Sequence, residues 1–152
     1  MSISGNGMKM ACREEVNKMN EKYIELEIPN EWGEYLYNLL NGLEKERELH
    51  WMINYSEILE KKGNDFPELL EEKVYKNDDL FKKIKTVCYV IQLDIYAYCK
   101  DRIEVMHLRI SDSSYVEIWM RDNYFFNKFK KGNIISAYLR EYGVEEKCEK
   151  LY

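Results

Sequence analysis

Asp94, His107 and Glu117 are the residues of this chain whose types could do acid–base chemistry together. A histidine that a carboxylate orients can act as a general acid or a general base. All three lie in segments whose apolar residues alternate as in β-strands. Whether the three side chains meet therefore depends on how these strands pair. To predict a catalytic site, the register of the strands must be predicted first.

The segment from residue 86 to residue 122 predicts three consecutive strands, since it is rich in β-branched and aromatic residues and short polar breaks divide it. The predicted strands are Thr86–Tyr98, Ile103–Ile110 and Tyr115–Arg121. On each strand one set of alternate residues is apolar and should face the core. On the first strand these residues are Val87, Tyr89, Ile91, Leu93, Ile95 and Ala97.

Register follows if core residues pair with core residues, because a slip by one residue turns every side chain over. This criterion, with loops at residues 99–102 and 110–114, places His107 between Asp94 and Glu117 in a row across the three strands. Six further side chains should surround this row as candidate binding residues, namely Gln92, Tyr96, Arg109, Tyr115, Trp119 and Arg121.

Three interpretations of this polar face stay open. It can be a solvated sheet face that carries cross-strand charge pairs, a surface that binds a partner, or a catalytic site in which His107 acts with a carboxylate. The sequence offers few motifs for other kinds of site: it has no glycine-rich phosphate loop and no Gly-x-Ser-x-Gly motif. With two histidines in all, no cofactor or metal site is predicted, and a site of one histidine with two carboxylates at His107 is the weakest alternative.

Composition limits the class of protein. The chain has 152 residues and a formal net charge of −5, which argues against nucleic acid and an anionic membrane surface but permits a basic protein partner. The four cysteines, Cys12, Cys88, Cys99 and Cys148, form no Cys-x-x-Cys pair, so reduced thiols in a cytoplasmic protein are expected. Cys88 and Cys99 should face opposite sides of the sheet.

The remaining elements complete a single domain over residues 9–152, after a disordered start at residues 1–8. A strand is predicted at Tyr23–Ile28, and the best helix at Trp32–Leu40 should pack on the sheet face that carries Ile91, Leu93 and Ile118. The segment from residue 124 to residue 131 stays open between helix and strand. The other predicted elements are a strand at His50–Tyr55 and helices at Lys9–Glu21, Ser56–Lys62, Glu68–Tyr75, Leu80–Lys85 and Ile134–Tyr142. The predicted fold class is α+β, a mainly antiparallel sheet of about five strands with helices packed on one face.

Two segments together resemble an uncharacterised bacterial family, the domain of unknown function 2691. The first is Ile24–Leu36, which reads strand, Ile-Pro-Asn break and a helix opening with Gly-Glu-Tyr-Leu. The second is Asp112–Ile118, followed by Arg121 and Asp122. The resemblance covers most of residues 22–130 and implies a compact bacterial α+β domain. The family assigns no catalytic residues, so none are carried over.

The function that we expect from the sequence is a non-catalytic protein-binding module, such as a small bacterial immunity protein, a toxin-neutralising factor or a phage-encoded inhibitor that masks a partner. One alternative is a small hydrolase-like enzyme that uses His107 with Asp94 or Glu117. Another is a protein that binds a small ligand. The sequence leaves the partner's identity and the oligomeric state open.

Overall fold

The computed structural model describes residues 21–143 and 145–146 of the chain. In this part of the chain six strands form one antiparallel sheet, and a two-residue strand adds a seventh at one edge. The strands are β1 (Lys22–Glu27), β2 (His50–Glu60), β3 (Val74–Lys76), β4 (Cys88–Tyr98), β5 (Glu104–Ser111), β6 (Tyr115–Met120) and β7 (Glu145–Glu146). The helices are α1 (Tyr35–Leu40), α2 (Asn77–Ile84), α3 (Asn123–Phe129) and α4 (Asn133–Tyr142).

The strands follow the order β3-β2-β4-β5-β6-β1-β7, and each neighbouring pair is antiparallel. This arrangement confirms the predicted α+β class, with more strands than the five expected. The hydrophobic core combines one face of the sheet with apolar side chains of the helices, such as Leu36, Leu80 and Phe125. The opposite face of β4, β5, β6 and β1 carries the residues singled out from the sequence.

Helix α1 begins three residues later than Trp32, where the sequence predicted its start. The backbone of Gly33 forms an isolated bridge with Cys88, through hydrogen bonds of 3.0 Å in both directions. This bridge holds residues 32–34 beside the start of β4, so the first helical turn forms only at Tyr35. The Trp32 side chain is 38% exposed and packs on Phe66 and Tyr89 instead of entering the core.

A β-bulge at Ile91 reverses the alternation along β4. Glu57 pairs with Gln92 and Ile58 pairs with Val90, so Ile91 is an extra residue in the ladder. Cys88 and Val90, which precede this bulge in sequence, are buried. The prediction that Val87, Tyr89 and Ile91 face the core is therefore wrong, while Leu93, Ile95 and Ala97 are buried as expected.

Strand β2 continues to Glu60, so the helix predicted at Ser56–Lys62 is wrong. The whole of β2 pairs with the long strand β4, and this pairing overrides the helical propensity of the segment. A second bulge at Asn54 shifts the register between Ile53 and Tyr55. Tyr55 is consequently 42% exposed, instead of facing the core with Trp51 and Ile53.

The helix predicted at Glu68–Tyr75 is also wrong, because β2 is much longer than its other neighbour, β3. The free edge of β2 takes backbone partners from the segment before β3: Glu60 donates to the Pro67 carbonyl at 2.8 Å and Leu69 donates to the Ile58 carbonyl at 2.8 Å. Buried backbone groups need such partners. The segment is therefore extended, and only residues 74–76 form a regular strand.

The other helices agree with the sequence. The predicted helices at residues 80–85 and 134–142 correspond to α2 and α4. The segment left open at residues 124–131 is helical in α3, because the Asp122 side chain caps its first turn by accepting from the Phe125 backbone N–H. The segment expected to be disordered, residues 1–8, lies outside the described residues, as does the helix expected at Lys9–Glu21 except for its last residue.

The cysteines depart from expectation in two ways. Cys88 and Cys99 are both buried, since the bulge at Ile91 places an even-numbered and an odd-numbered residue on the same side of the strand. Cys88 is a free thiol, and burial raises its pKa to about 11. Cys99 is disulfide-bonded, so the expectation of reduced thiols is wrong for this residue.

Asn77 joins three parts of the core and does not act as a helix cap. Its side chain is fully buried and accepts from the Trp51 indole N–H at 2.7 Å. It also donates to the carbonyls of Leu43 and Glu44, at 3.1 Å and 2.9 Å. One amide thereby satisfies polar groups of β2, of the 3₁₀ turn Asn41–Leu43 and of the residue that follows this turn.

We expect Asn77→Leu to lower the free energy of unfolding by about 3 kcal/mol, because it leaves the Trp51 N–H and two carbonyls buried without partners. Urea denaturation at pH 7 measures this change. The control is Asn64→Ala in the exposed turn after β2, which should change stability by less than about 0.5 kcal/mol. An equal effect of the two substitutions would contradict the structural role of Asn77.

Candidate functional site

The pairing of β5 with β6 differs by two residues from the predicted register. The strands turn through Asp112 and Ser113, both in the left-handed region with φ of 53° and 68°. This tight turn pairs Ser111 with Tyr115, so His107 lies opposite Trp119 and not opposite Glu117. A slip of two residues keeps every side chain on its face, and core pairing alone could not reveal it.

The pairing of β4 with β5 is shifted in the same way. His107 lies opposite Tyr96, and Asp94 lies opposite Arg109. A bulge at Val105 separates this register from the last pair, Tyr98 with Glu104. The predicted assignment of side chains to the two faces therefore holds from Gln92 onward on β4 and from Met106 onward on β5, while the predicted cross-strand partners are wrong.

Four rings form a row across the open face of the sheet, which we call the aromatic row: Tyr96, His107, Trp119 and Tyr23. The Tyr96 and His107 ring centroids are 4.1 Å apart with an interplanar angle of 7°. The His107 and Trp119 centroids are 4.8 Å apart, and the Trp119 and Tyr23 centroids are 5.3 Å apart. Each ring belongs to a different strand, so the sheet itself holds the stack.

A second row runs beside the first, and we call it the charged row: Asp94, Arg109, Glu117 and Glu25. The Arg109 guanidinium contacts Glu117 at 3.4 Å and lies over the Trp119 ring, 5.5 Å from its centroid. Glu117 and Glu25 lie directly opposite each other, which is unfavourable for like charges. The two rows thus place carboxylates and a guanidinium along one side of the aromatic stack.

His107 meets one of its two predicted carboxylates. Its Nε2 atom lies 2.5 Å from Asp94 Oδ1, along the diagonal between the rows, and Asp94 Oδ2 accepts from the Asn54 amide at 2.8 Å. The His107 side chain is only 14% exposed, because Tyr96 and Trp119 cover both faces of its ring. Asp94 therefore orients an imidazole whose position the neighbouring rings restrict.

Glu117 contacts other groups than His107. The Tyr23 hydroxyl donates to Glu117 at 2.9 Å and to Glu25 at 2.5 Å, so it bridges the two opposed carboxylates. Burial, followed by these hydrogen bonds to carboxylates, raises the Tyr23 pKa far above its ordinary value of 10. The bridge keeps the hydroxyl protonated and reduces the repulsion between Glu25 and Glu117.

The other predicted binding residues lie around the two rows. Arg121 contacts Glu104 at 3.7 Å and Glu21 at 3.6 Å. Tyr115 is 37% exposed and donates to Glu25 at 2.6 Å. Gln92 is exposed beyond Asp94, opposite Glu57. The structure thus brings all six residues onto the face of Asp94, His107 and Glu117.

Three residues of the site, Tyr23, Glu25 and Asn54, were not predicted from the sequence. The alternation of β1 correctly placed Tyr23 and Glu25 away from the core, but no local signal indicated that β1 pairs with β6. Asn54 was not predicted to contribute, since the bulge that directs it toward Asp94 has no clear sequence pattern. Among the described residues, no group of three or more His, Cys, Asp or Glu side chains could hold a metal ion.

The chain belongs to the family described as protein of unknown function (DUF2691), whose model matches residues 21–145. This match confirms the resemblance seen in the Ile24–Leu36 and Asp112–Ile118 segments and extends it over nearly all described residues. Comparisons with curated proteins and with solved structures give no match. No helix in the described part of the chain is long and apolar enough to cross a membrane.

Replacement of Tyr23 by phenylalanine should show how the bridge supports this face. We expect Tyr23→Phe to lower the free energy of unfolding at pH 7 by about 2 kcal/mol, because Glu25 and Glu117 lose a shared donor. A raised folded-state pKa stabilises the protein below pH 10, and this contribution is lost as the pH rises further. Stability should therefore fall less steeply above pH 10 in Tyr23→Phe than in the wild type.

Urea denaturation at pH 7, 10 and 11 measures both effects. Tyr142→Phe is the control, since Tyr142 is 68% exposed. Parallel pH profiles for the wild type and Tyr23→Phe would contradict the bridging role of the hydroxyl.

Proposed function

We propose that this protein is a non-catalytic protein-binding module that masks a partner with the open face of its sheet. The observation that carries this proposal is the aromatic row, in which tyrosine, histidine and tryptophan rings from four strands stack side by side. Interface residues that dominate binding energy are most often Trp, Tyr and Arg. The face combines these three types around Trp119.

The rigidity of the aromatic row also favours binding. The two central rings, His107 and Trp119, are each held between rings of adjacent strands, so their side chains are already ordered before a partner arrives. Ordering a flexible side chain on association costs about 0.5–1.5 kcal/mol, and this cost is largely absent here. A flat, ordered stack suits contact with a protein surface better than the enclosure of a small molecule.

The charge of the face favours a basic partner. Its carboxylates are Glu25, Glu27, Glu57, Asp94, Glu104 and Glu117. Among the described residues, the guanidinium groups on this face are those of Arg109 and Arg121. Opposite potentials accelerate association and select the orientation of the partner. A bacterial immunity protein, toxin-neutralising factor or phage-encoded inhibitor would use such a face to cover a basic surface.

Replacement of ring residues tests this proposal. We expect Trp119→Ala and Tyr96→Ala each to weaken capture of the partner by at least about 30-fold, the cost of losing a central aromatic contact. The measurement is affinity purification from the source cells with mass spectrometry, followed by titration of the purified partner. Phe66→Ala, which removes a ring that is 52% exposed and outside both rows, should leave binding unchanged.

Circular dichroism spectra and melting curves must show that the ring variants remain folded. Loss of folding in Trp119→Ala alone would be resolved by Trp119→Leu, which keeps apolar cover on the sheet. Undiminished capture by folded Trp119 and Tyr96 variants would refute the proposed face.

A hydrolase-like enzyme is the second candidate, and the His107–Asp94 contact favours it. A carboxylate that orients an imidazole is the arrangement that general acid–base catalysis uses. Two observations weigh against it: the flanking rings cover the imidazole, and Glu117 is engaged by Arg109 and Tyr23.

The enzyme candidate predicts that ester or phosphoester hydrolysis by the purified protein falls at least about 100-fold in His107→Ala and in Asp94→Asn. Chromogenic esters and phosphoesters measure this turnover, with Phe66→Ala as the control. Equal turnover in all variants would exclude catalysis by this pair.

The alternative of a small-ligand-binding protein rests on an open hollow of about 550 Å³ beside the end of β4. His50, Met52, Val74, Tyr98 and Arg102 contribute to its lining. Its volume lies in the range of ligand pockets, but it shares no residue with either row. It supports ligand binding less well than the aromatic row supports protein binding.

A further inference from the structure

Arg109 already places a guanidinium on the aromatic row. Its Cζ atom lies 5.5 Å from the centroid of the Trp119 ring, and its Nη1 atom lies 3.4 Å from Glu117 Oε1. Arginine binds favourably to a ring face with a carboxylate beside it, because the planar cation stacks and donates hydrogen bonds at the same time. The protein's own side chain therefore demonstrates which group this position accepts.

The contact that holds Arg109 is weak. Its side chain is 47% exposed, and its single described carboxylate contact, to Glu117, is long for a charged hydrogen bond. Asp94, the other carboxylate next to Arg109 in the charged row, is engaged by His107 and Asn54. Exposed ion pairs of this kind contribute little stability, so Arg109 can leave the ring at small cost.

The groups beneath Arg109 are held much more firmly. Glu117 is only 18% exposed and accepts from Tyr23, while Trp119 is stacked between His107 and Tyr23. The position thus consists of a fixed ring and a fixed carboxylate under a loosely held cation. This combination suits exchange of one guanidinium for another.

We propose that the partner presents an arginine side chain that takes the place of Arg109 over Trp119 and pairs with Glu117. This inference rests on the proposed function, since it names the chemistry by which the masked partner is recognised. The excess of carboxylates on the face attracts the basic segment, and the guanidinium stack selects arginine. Arg109 acts as an internal competitor that covers the position until the partner displaces it.

The test uses a synthetic peptide, acetyl-Gly-Arg-Gly-Arg-Gly-amide, and the full-length protein at 150 mM salt, where long-range attraction is screened. NMR titration follows the indole N–H of Trp119, assigned by its loss in Trp119→Phe. Peptides with lysine or with citrulline in place of arginine separate charge from guanidinium stacking, because citrulline is planar and neutral.

We expect Arg109→Ala to bind the arginine peptide about threefold more tightly than the wild type, since the competitor is removed. Glu117→Gln should weaken binding about fivefold. The control for net charge is Arg47→Ala, which removes an equal charge from a side chain that is 81% exposed and outside both rows. It should leave the affinity unchanged.

Several results would overturn the inference. Weaker binding of the arginine peptide by Arg109→Ala would show that Arg109 supports the site instead of competing for it. Equal binding of the arginine and lysine peptides would show that the site recognises positive charge and not the guanidinium group. Equal binding of the citrulline peptide would show that no cation is required. If any of these occurs while Trp119→Ala still abolishes partner capture, this inference fails and the proposed function stands; undiminished capture refutes both.

Discussion

The burial of one row of apolar side chains is the constraint on which the rest of this structure depends. Ile95, Leu108, Ile118 and Ile24 lie directly opposite one another on β4, β5, β6 and β1, and each is at most 1% exposed. Burial of such a side chain contributes about 1.5–3 kcal/mol, so a register that exposed the row would be strongly disfavoured. Because successive residues of a strand point to opposite faces, the neighbours of this row are forced into their own row on the open side.

The open face therefore has an order that follows from the core beneath it. The residues that flank the buried row in sequence form the aromatic row on one side of it and the charged row on the other. Local irregularities adjust this order without disturbing it. The bulge at Ile91 reverses the faces of the β4 residues that precede it, so Asp94 and Tyr96 are not affected. The left-handed turn at Asp112 and Ser113 sets which residues of β5 and β6 lie opposite each other. The contact between His107 and Asp94 is a diagonal consequence of these pairings.

The side chains of the open face differ in how firmly their neighbours hold them, and this difference determines what the face can do. His107 is stacked between two rings and oriented by a carboxylate, an arrangement that resembles a catalytic pair but leaves the imidazole little access to a substrate. Glu117 and Trp119 are fixed by neighbours, whereas Arg109 is loosely attached above them. A surface of fixed rings and carboxylates under a movable cation is better suited to recognition than to turnover. This contrast is why the proposed function is a binding module.

The sequence by itself determined the α+β class, the helices α2 and α4 and the face on which the residues of β5 and β6 lie. These features depend on patterns between residues that are close in sequence. Apolar residues alternate within a single strand, and the apolar spacing of a helix repeats within a few turns. Only the tertiary structure decided that His107 meets Trp119, that β1 supplies Tyr23 to the site and that β2 extends where a helix was expected. A slip of two residues preserves the burial pattern, and a bulge or a partner strand is chosen by hydrogen bonding between distant segments. The face of the sheet to which a side chain points is set by its position along its own strand. The register is set by the pair of strands that hydrogen-bond to each other.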